Sequence, residues 1–126
     1  MPQTKVVFYK EEDGTVPTQV CLDNLQRQAR EKCGNKMKRL KALGHELRRP
    51  EADYLRDGIY ELRIRLGTVN YRLLYFFYKD ITTVVSHGLT KERLLPPREI
   101  ERAIERRRKF HINPEPHTQE IEECVQ

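Results

Sequence analysis

No stretch of the chain approaches the roughly 18 consecutive apolar residues that a membrane-spanning helix needs, which argues against a membrane protein. The first residues, Met1-Pro2-Gln3-Thr4-Lys5, carry no apolar run followed by a small-residue cleavage site, so a signal peptide is not expected. Cysteine is scarce. Cys21, Cys33 and Cys124 are odd in number, and their spacing fits neither a disulfide framework nor a zinc pattern. Free thiols point to a reducing compartment, and the cytoplasm is the expected location. No cluster of carboxylates suggests a divalent cation site, so neither a metal nor a cofactor is expected. There is no internal repeat.

What the chain has is charge. Charged residues are 34% of its 126 positions against 37% hydrophobic ones, which suits one domain with a modest core and a polar surface. The net charge of +5 favours anionic partners. The charge is unevenly spread. Between Gln26 and Leu43 stand seven cations (Arg27, Arg30, Lys32, Lys36, Lys38, Arg39 and Lys41) against Glu31 alone, whereas Glu115, Glu120, Glu122 and Glu123 fall after Pro114 without a Lys or Arg.

Hydrophobic periodicity orders the elements. Lys5 to Lys10 is a β-branched and aromatic run that suits a strand, closed by a turn at Glu11-Glu12-Asp13-Gly14. Leu22, Leu25, Ala29, Cys33, Met37 and Leu40 recur at helical spacing, which predicts two helices or one broken helix from about Pro17 to Leu43, with Gly44 as the stop. Leu47 to Asp57, with Pro50 inside it, reads as a polar connection. From Ile59 the period changes to two: Tyr60, Leu62, Ile64 and Leu66 alternate with Glu61, Arg63 and Arg65, which makes a half-buried strand. Tyr71 to Lys79 is almost wholly apolar and should be a central strand covered on both faces. A tight turn at Lys79-Asp80 leads into a third strand, Ile81 to Leu89, completing an antiparallel meander. Pro97 can open a helix whose first turn carries Glu99 and Glu101 and whose end carries Arg106 to Lys109. The expected fold is α+β, a mostly antiparallel sheet with helices against one side. Residues 1–112 form the domain, and 113–126 read as an acidic, disordered tail whose removal should leave activity unchanged.

The strand faces carry the chemistry. Glu61, Arg63 and Arg65 point the same way, and parity sets Arg72 apart from Tyr71, Leu73, Tyr75 and Phe77 on the next strand. If Arg72 shares a face with Arg63 and Arg65, three guanidiniums line one surface. Guanidinium offers paired planar donors to phosphate oxygens and keeps its charge near neutral pH. In RNA cleavage the 2′-hydroxyl attacks the adjacent phosphorus, and cations aimed at the phosphoryl oxygens stabilise the charge that grows there. Glu61, His87, Lys91 and a tyrosine are the candidates for moving protons. The same residues also fit ordinary roles: a solvated strand face with weak ion pairs, a structural partner for Arg72, a half-buried His87.

The order of motifs resembles a known group. Leu55-Arg56-Asp57-Gly58-Ile59-Tyr60-Glu61-Leu62-Arg63 is followed by Asn70-Tyr71-Arg72 opening an aromatic strand, then Ser86-His87-Gly88-Leu89-Thr90-Lys91, then Pro97-Arg98-Glu99-Ile100-Glu101-Arg102-Ala103. In combination these resemble the HigB-like, phage-derived Gp49-like branch of the RelE/ParE toxin superfamily, over about Lys5 to Phe110. The resemblance implies a RelE-like microbial ribonuclease-type fold and the toxin half of a prokaryotic type II toxin–antitoxin pair. Its partner would be a helix-turn-helix antitoxin, and its activity cleavage of mRNA in the ribosomal 30S A site without metal. It implies Arg72 at the scissile phosphate, Arg63 at a basic strand position, and Lys91 and Arg93 where relatives carry a basic residue after the glycine, and it leaves the general base open. Residue pattern and resemblance together give a candidate catalytic set of Arg72, Arg63, Glu61, His87 and Lys91, and candidate RNA contacts from Arg65, Arg56, Arg93, Arg107 and Lys109. The C-terminal aromatic or histidine of several relatives has no secure match; Phe110 cannot take a proton, and His111 can. Two other functions compete: a ParE-like, non-enzymatic inhibitor of DNA gyrase, and a non-toxic phage-derived nucleic-acid-binding protein.

Overall fold

The structure, a computed structural model, describes residues 3–90 and 94–121. The elements run β1 (Lys5–Tyr9), α1 (Pro17–Asp23), α2 (Arg27–Leu43), β2 (Ala52–Arg56), β3 (Ile59–Leu66), β4 (Val69–Tyr78), β5 (Thr82–Thr90), α3 (Pro97–Ile112) and β6 (Thr118–Gln119). One six-stranded sheet has the order β2-β3-β4-β5-β1-β6. β1 runs parallel to β5, and every other pairing is antiparallel.

The meander β3-β4-β5 follows from its alternation and short turns. β4 contributes Leu73 and Tyr75 to one core and Leu74 and Phe76 to the other. A strand with two apolar faces needs cover on both, and this requirement corrects the expectation of helices on one side. α1 and α2 press Leu22, Cys33 and Leu40 onto the face of Phe8, Leu62, Leu73 and Tyr75. α3 lies on the opposite face, where Ala103 and Phe110 meet Val7, Ile59, Leu74 and Phe76. The helical break falls at residues 24–26, and Gly34 lies inside a continuous α2.

Two further expectations are corrected. The segment taken as a polar connection contains β2, an edge strand paired with β3. The signal was the Asp57-Gly58 dipeptide: both residues have positive φ (52° and 83°), the conformation of a tight two-residue hairpin turn that favours Asp-Gly. The supposed disordered tail supplies β6, which pairs Thr118 with Tyr9 and Gln119 with Phe8. His117 is buried, stacks on Tyr9 at 5.0 Å and donates from Nδ1 to the Lys10 carbonyl at 2.7 Å. Composition missed this because β1 would otherwise present an unpaired edge, and the returning chain satisfies it. The domain therefore extends past residue 112. Among the described residues no helix is long and apolar enough to cross a membrane.

Candidate functional site

The β3–β4 register sets Arg63 directly across from Arg72 and Arg65 across from Asn70. Arg63, Arg65 and Arg72 thus share the face that α3 partly covers. Two like charges directly opposed repel unless something neutralises them. Glu61, two residues before Arg63 and on the same face, does so. Its side chain is 2% exposed; Oε2 accepts from Arg63 Nε at 2.8 Å, and Oε1 lies 3.3 Å from Arg72 Nη1, an ion-pair contact without hydrogen-bond alignment. A buried carboxylate costs free energy unless charge surrounds it, and here two guanidiniums do. Arg63 also reaches Asp53 Oδ2 on β2 at 3.3 Å. Arg63 keeps 44% of its side chain exposed and Arg72 20%, so both can meet a ligand from solvent. Arg65 is exposed and donates from Nε to the Gly67 carbonyl at 3.0 Å.

His87 is on the same face, because the pairing row runs from Glu61 through Leu74 to His87. At one strand spacing per step the two side chains stand roughly 10 Å apart. A register shift between Leu74 and Tyr75, with Ser86 as the extra residue of β5, gives His87 this position. His87 is not open to a substrate. It is 5% exposed, and both ring nitrogens have partners: Nε2 donates to Glu99 Oε1 at 3.0 Å, and Nδ1 accepts from Arg106 Nη1 at 3.0 Å beside Ser86 Oγ at 2.8 Å. Burial, helped by the Arg106 charge, pulls its pKa down to about 4 against the upward pull of Glu99. A neutral ring with its proton on Nε2 fits every contact. The expectation of His87 as an acid or base gives way to a structural one: it ties α3 to the sheet.

The network around it went unread in the sequence. Glu99 also meets Arg102 Nη1 at 3.2 Å, and Arg106 Nη2 reaches Glu11 Oε2 at 2.6 Å. Residues 99, 103, 106 and 110 form one stripe of α3, in which Glu99 and Arg106 alternate with buried Ala103 and Phe110. That spacing was the available signal; Glu99 was read only for its place near a helix start.

The other candidates lie apart. Arg56 pairs with Asp57 at 2.8 Å and lies 3.9 Å from Glu101. Arg107 lies over Gly58, where a Cβ would come within 2.7 Å of its Nε. Both therefore flank the β2–β3 turn, about 17 Å along β3 from Arg63. Lys109 pairs with Glu12 at 3.2 Å. Phe110 is buried in the α3 core, and His111 sits against Tyr78 at the far end of β4, away from Arg72. Lys91 and Arg93 lie outside the described residues. The structure thus brings together Arg63, Arg65, Arg72 and Glu61, and leaves Arg56, Arg107 and Lys109 elsewhere. Among the described residues no three His, Cys, Asp or Glu side chains converge as metal ligands would.

The profile of the phage-derived Gp49-like proteins (DUF891) matches residues 21–108, from α1 to the last turns of α3. The chain belongs to the Gp49-like family. That family lies within the RelE/HigB-type toxin superfamily, which makes the protein toxin-like and implies an antitoxin partner. The matched span contains Glu61, Arg63, Arg65 and Arg72 as well as the Glu99–His87–Arg106 network of this Gp49-like protein, and leaves β1 and β6 outside. No curated protein matches the chain.

Proposed function

We propose that this Gp49-like protein is the toxin of a type II toxin–antitoxin pair of the HigB-like branch, with a RelE-like fold, and that it cleaves mRNA in the ribosomal A site. The observation that supports this reading most is the pair Arg63 and Arg72, opposed across two strands around a buried Glu61 and still open to solvent. Such a pair suits a phosphodiester better than a carboxylate ligand, because Glu61 already supplies the carboxylate.

In the proposed reaction the ribose 2′-oxygen forms a bond to phosphorus and the bond to the 5′-oxygen breaks. The products are a 2′,3′-cyclic phosphate and a 5′-hydroxyl, and the proton lost by the 2′-hydroxyl is balanced by the one gained at the leaving oxygen. Arg72 and Arg63 stabilise the charge on the phosphoryl oxygens. Glu61 is a positioning residue that holds the two guanidiniums parallel to their task. Lys91 and a tyrosine are the sequence candidates that remain for proton transfer. A helix-turn-helix antitoxin is the proposed partner, and no metal enters the reaction.

A translation extract with purified ribosomes tests the reading. Breaks at defined codons only when ribosomes are present support it. DNA breaks with intact mRNA identify a gyrase inhibitor instead, and neither outcome leaves a nucleic-acid-binding protein.

A further inference from the structure

On the edge of the sheet, beyond the arginine cluster, lies an open cleft of about 560 Å³. Buried Leu47 and Ala52 floor it, Tyr54 and Tyr60 wall it, and Arg48 and Arg49 stand at its rim. Tyr54 is 54% exposed, unusual for so large a ring. Its orientation is held. The hydroxyl accepts the Gly58 N–H at 3.1 Å, and the ring meets Tyr60 edge-on at 5.0 Å. Tyr60 in turn stacks on Tyr75 at 5.3 Å, so the exposed ring is the outermost member of a packed aromatic row. A ring fixed in this way binds a flat partner at little entropic cost.

The cleft opens on the α2 face of the sheet, opposite the arginine cluster, and Asp53 at the β2 edge links the two. Arg49 Nη2 lies 3.1 Å from Asp53 Oδ2, the same oxygen that Arg63 Nη2 approaches at 3.3 Å. One carboxylate oxygen therefore joins the rim of the cleft to the arginine cluster, and guanidiniums continue from one face of the sheet over the β2 edge. An aromatic platform beside a track of cations is how proteins hold single strands: bases stack on the rings and phosphates follow the charge.

We propose that this cleft is a subsite for single-stranded RNA, in which a base flanking the phosphate held by Arg63 and Arg72 stacks on Tyr54 while its own phosphate meets Arg48 and Arg49. The proposal rests on the RNA-cleaving reading for its strand, and its test reads binding separately from cleavage. The chain has no tryptophan, so Tyr54→Trp gives a single fluorescent reporter in the cleft. A single-stranded RNA octamer should quench it, and an octamer of the same backbone without bases should not. In anisotropy titrations against the wild-type protein, Tyr54→Leu should weaken octamer binding about tenfold, while Tyr54→Phe, which keeps the ring and its edge contact with Tyr60 but loses the bond to Gly58, should weaken it by much less than Tyr54→Leu. Equal quenching by the baseless octamer, or unchanged binding by Tyr54→Leu, overturns the stacking subsite. Quenching by the RNA octamer without any ribosome-dependent cleavage overturns the nuclease reading and leaves the subsite standing; cleavage without quenching does the reverse.

Discussion

Arg63 and Arg72 face each other across adjacent antiparallel strands, and the buried carboxylate of Glu61 lies between their charges. The geometry separates two kinds of residue at one site. The arginines reach solvent and can hold a phosphate, whereas Glu61 cannot be reached and sets their positions.

Arg72→Ala should lower cleavage by about 10²-fold or more, since it removes a cation aimed at the reacting phosphate. The circular dichroism spectrum should stay near wild type, and the melting temperature should fall by several degrees at most, because buried Glu61 keeps Arg63 as a counter-charge. An unfolded variant would show that Arg72 is needed for the fold and would remove it from the catalytic assignment.

Glu61→Gln keeps the shape and removes the charge between the two guanidiniums. We expect a loss of roughly 2–3 kcal/mol of stability in urea, because opposed cations are left around a neutral amide. Cleavage should fall as well, with the larger effect on turnover. A variant as stable and active as the wild type would mean that the arginines need no counter-charge.

The His87 network gives the stability a pH dependence of known sign. The ring titrates near 4 in the folded protein and near 6.5 when free. Between these values the unfolded chain binds the extra proton, so stability is full above about pH 6.5 and declines as pH falls towards 4, by up to about 3 kcal/mol. Urea titrations at several pH values would measure it. In Glu99→Gln, which removes the carboxylate that favours the charged ring, the decline should still begin near pH 6.5, where the unfolded chain takes up its proton, but should continue to lower pH and reach a larger total, since the folded pKa is depressed further.

Chelation offers a simpler measurement. Cleavage in the extract depends on magnesium through the ribosome, so EDTA is best added to toxin before dilution into a complete system. No loss of activity is expected; a loss restored by a particular divalent ion would mean that the reaction uses a metal.

Removing residues 113–126 exposes Tyr9 and frees the β1 edge that β6 covers. The truncated protein should be less stable by about 1–2 kcal/mol, on the loss of backbone hydrogen bonds and of the His117 stack. An unchanged melting temperature would show that β6 contributes nothing.

Much of the site was legible because it is built within one hairpin. The alternation of Glu61, Arg63 and Arg65, the lone cation Arg72 and the short turn at Gly67 together place the arginines on one face, since strand parity and a two-residue turn leave little freedom of register. The edge strand β2 was missed because Pro50 and the charged residues around it read as a connection, although the Asp57-Gly58 turn announced it. The network that buries His87 was missed because its partners Glu99 and Arg106 lie on α3, away from β5 in the chain, and Arg106 is itself held by Glu11 from the segment after β1.

By itself the sequence determined the faces of β3 and β4, the helical span before Gly44 and the start of α3 at Pro97, all of them consequences of local periodicity and local sterics. Only the tertiary structure decided that β1 runs between β5 and β6, that α3 covers the arginine side of the sheet, and that Asp53 links Arg49 to Arg63. These arrangements join residues far apart in the chain. They are chosen by which packing buries both faces of β4 and pairs the exposed strand edges, and no short window of sequence contains that competition.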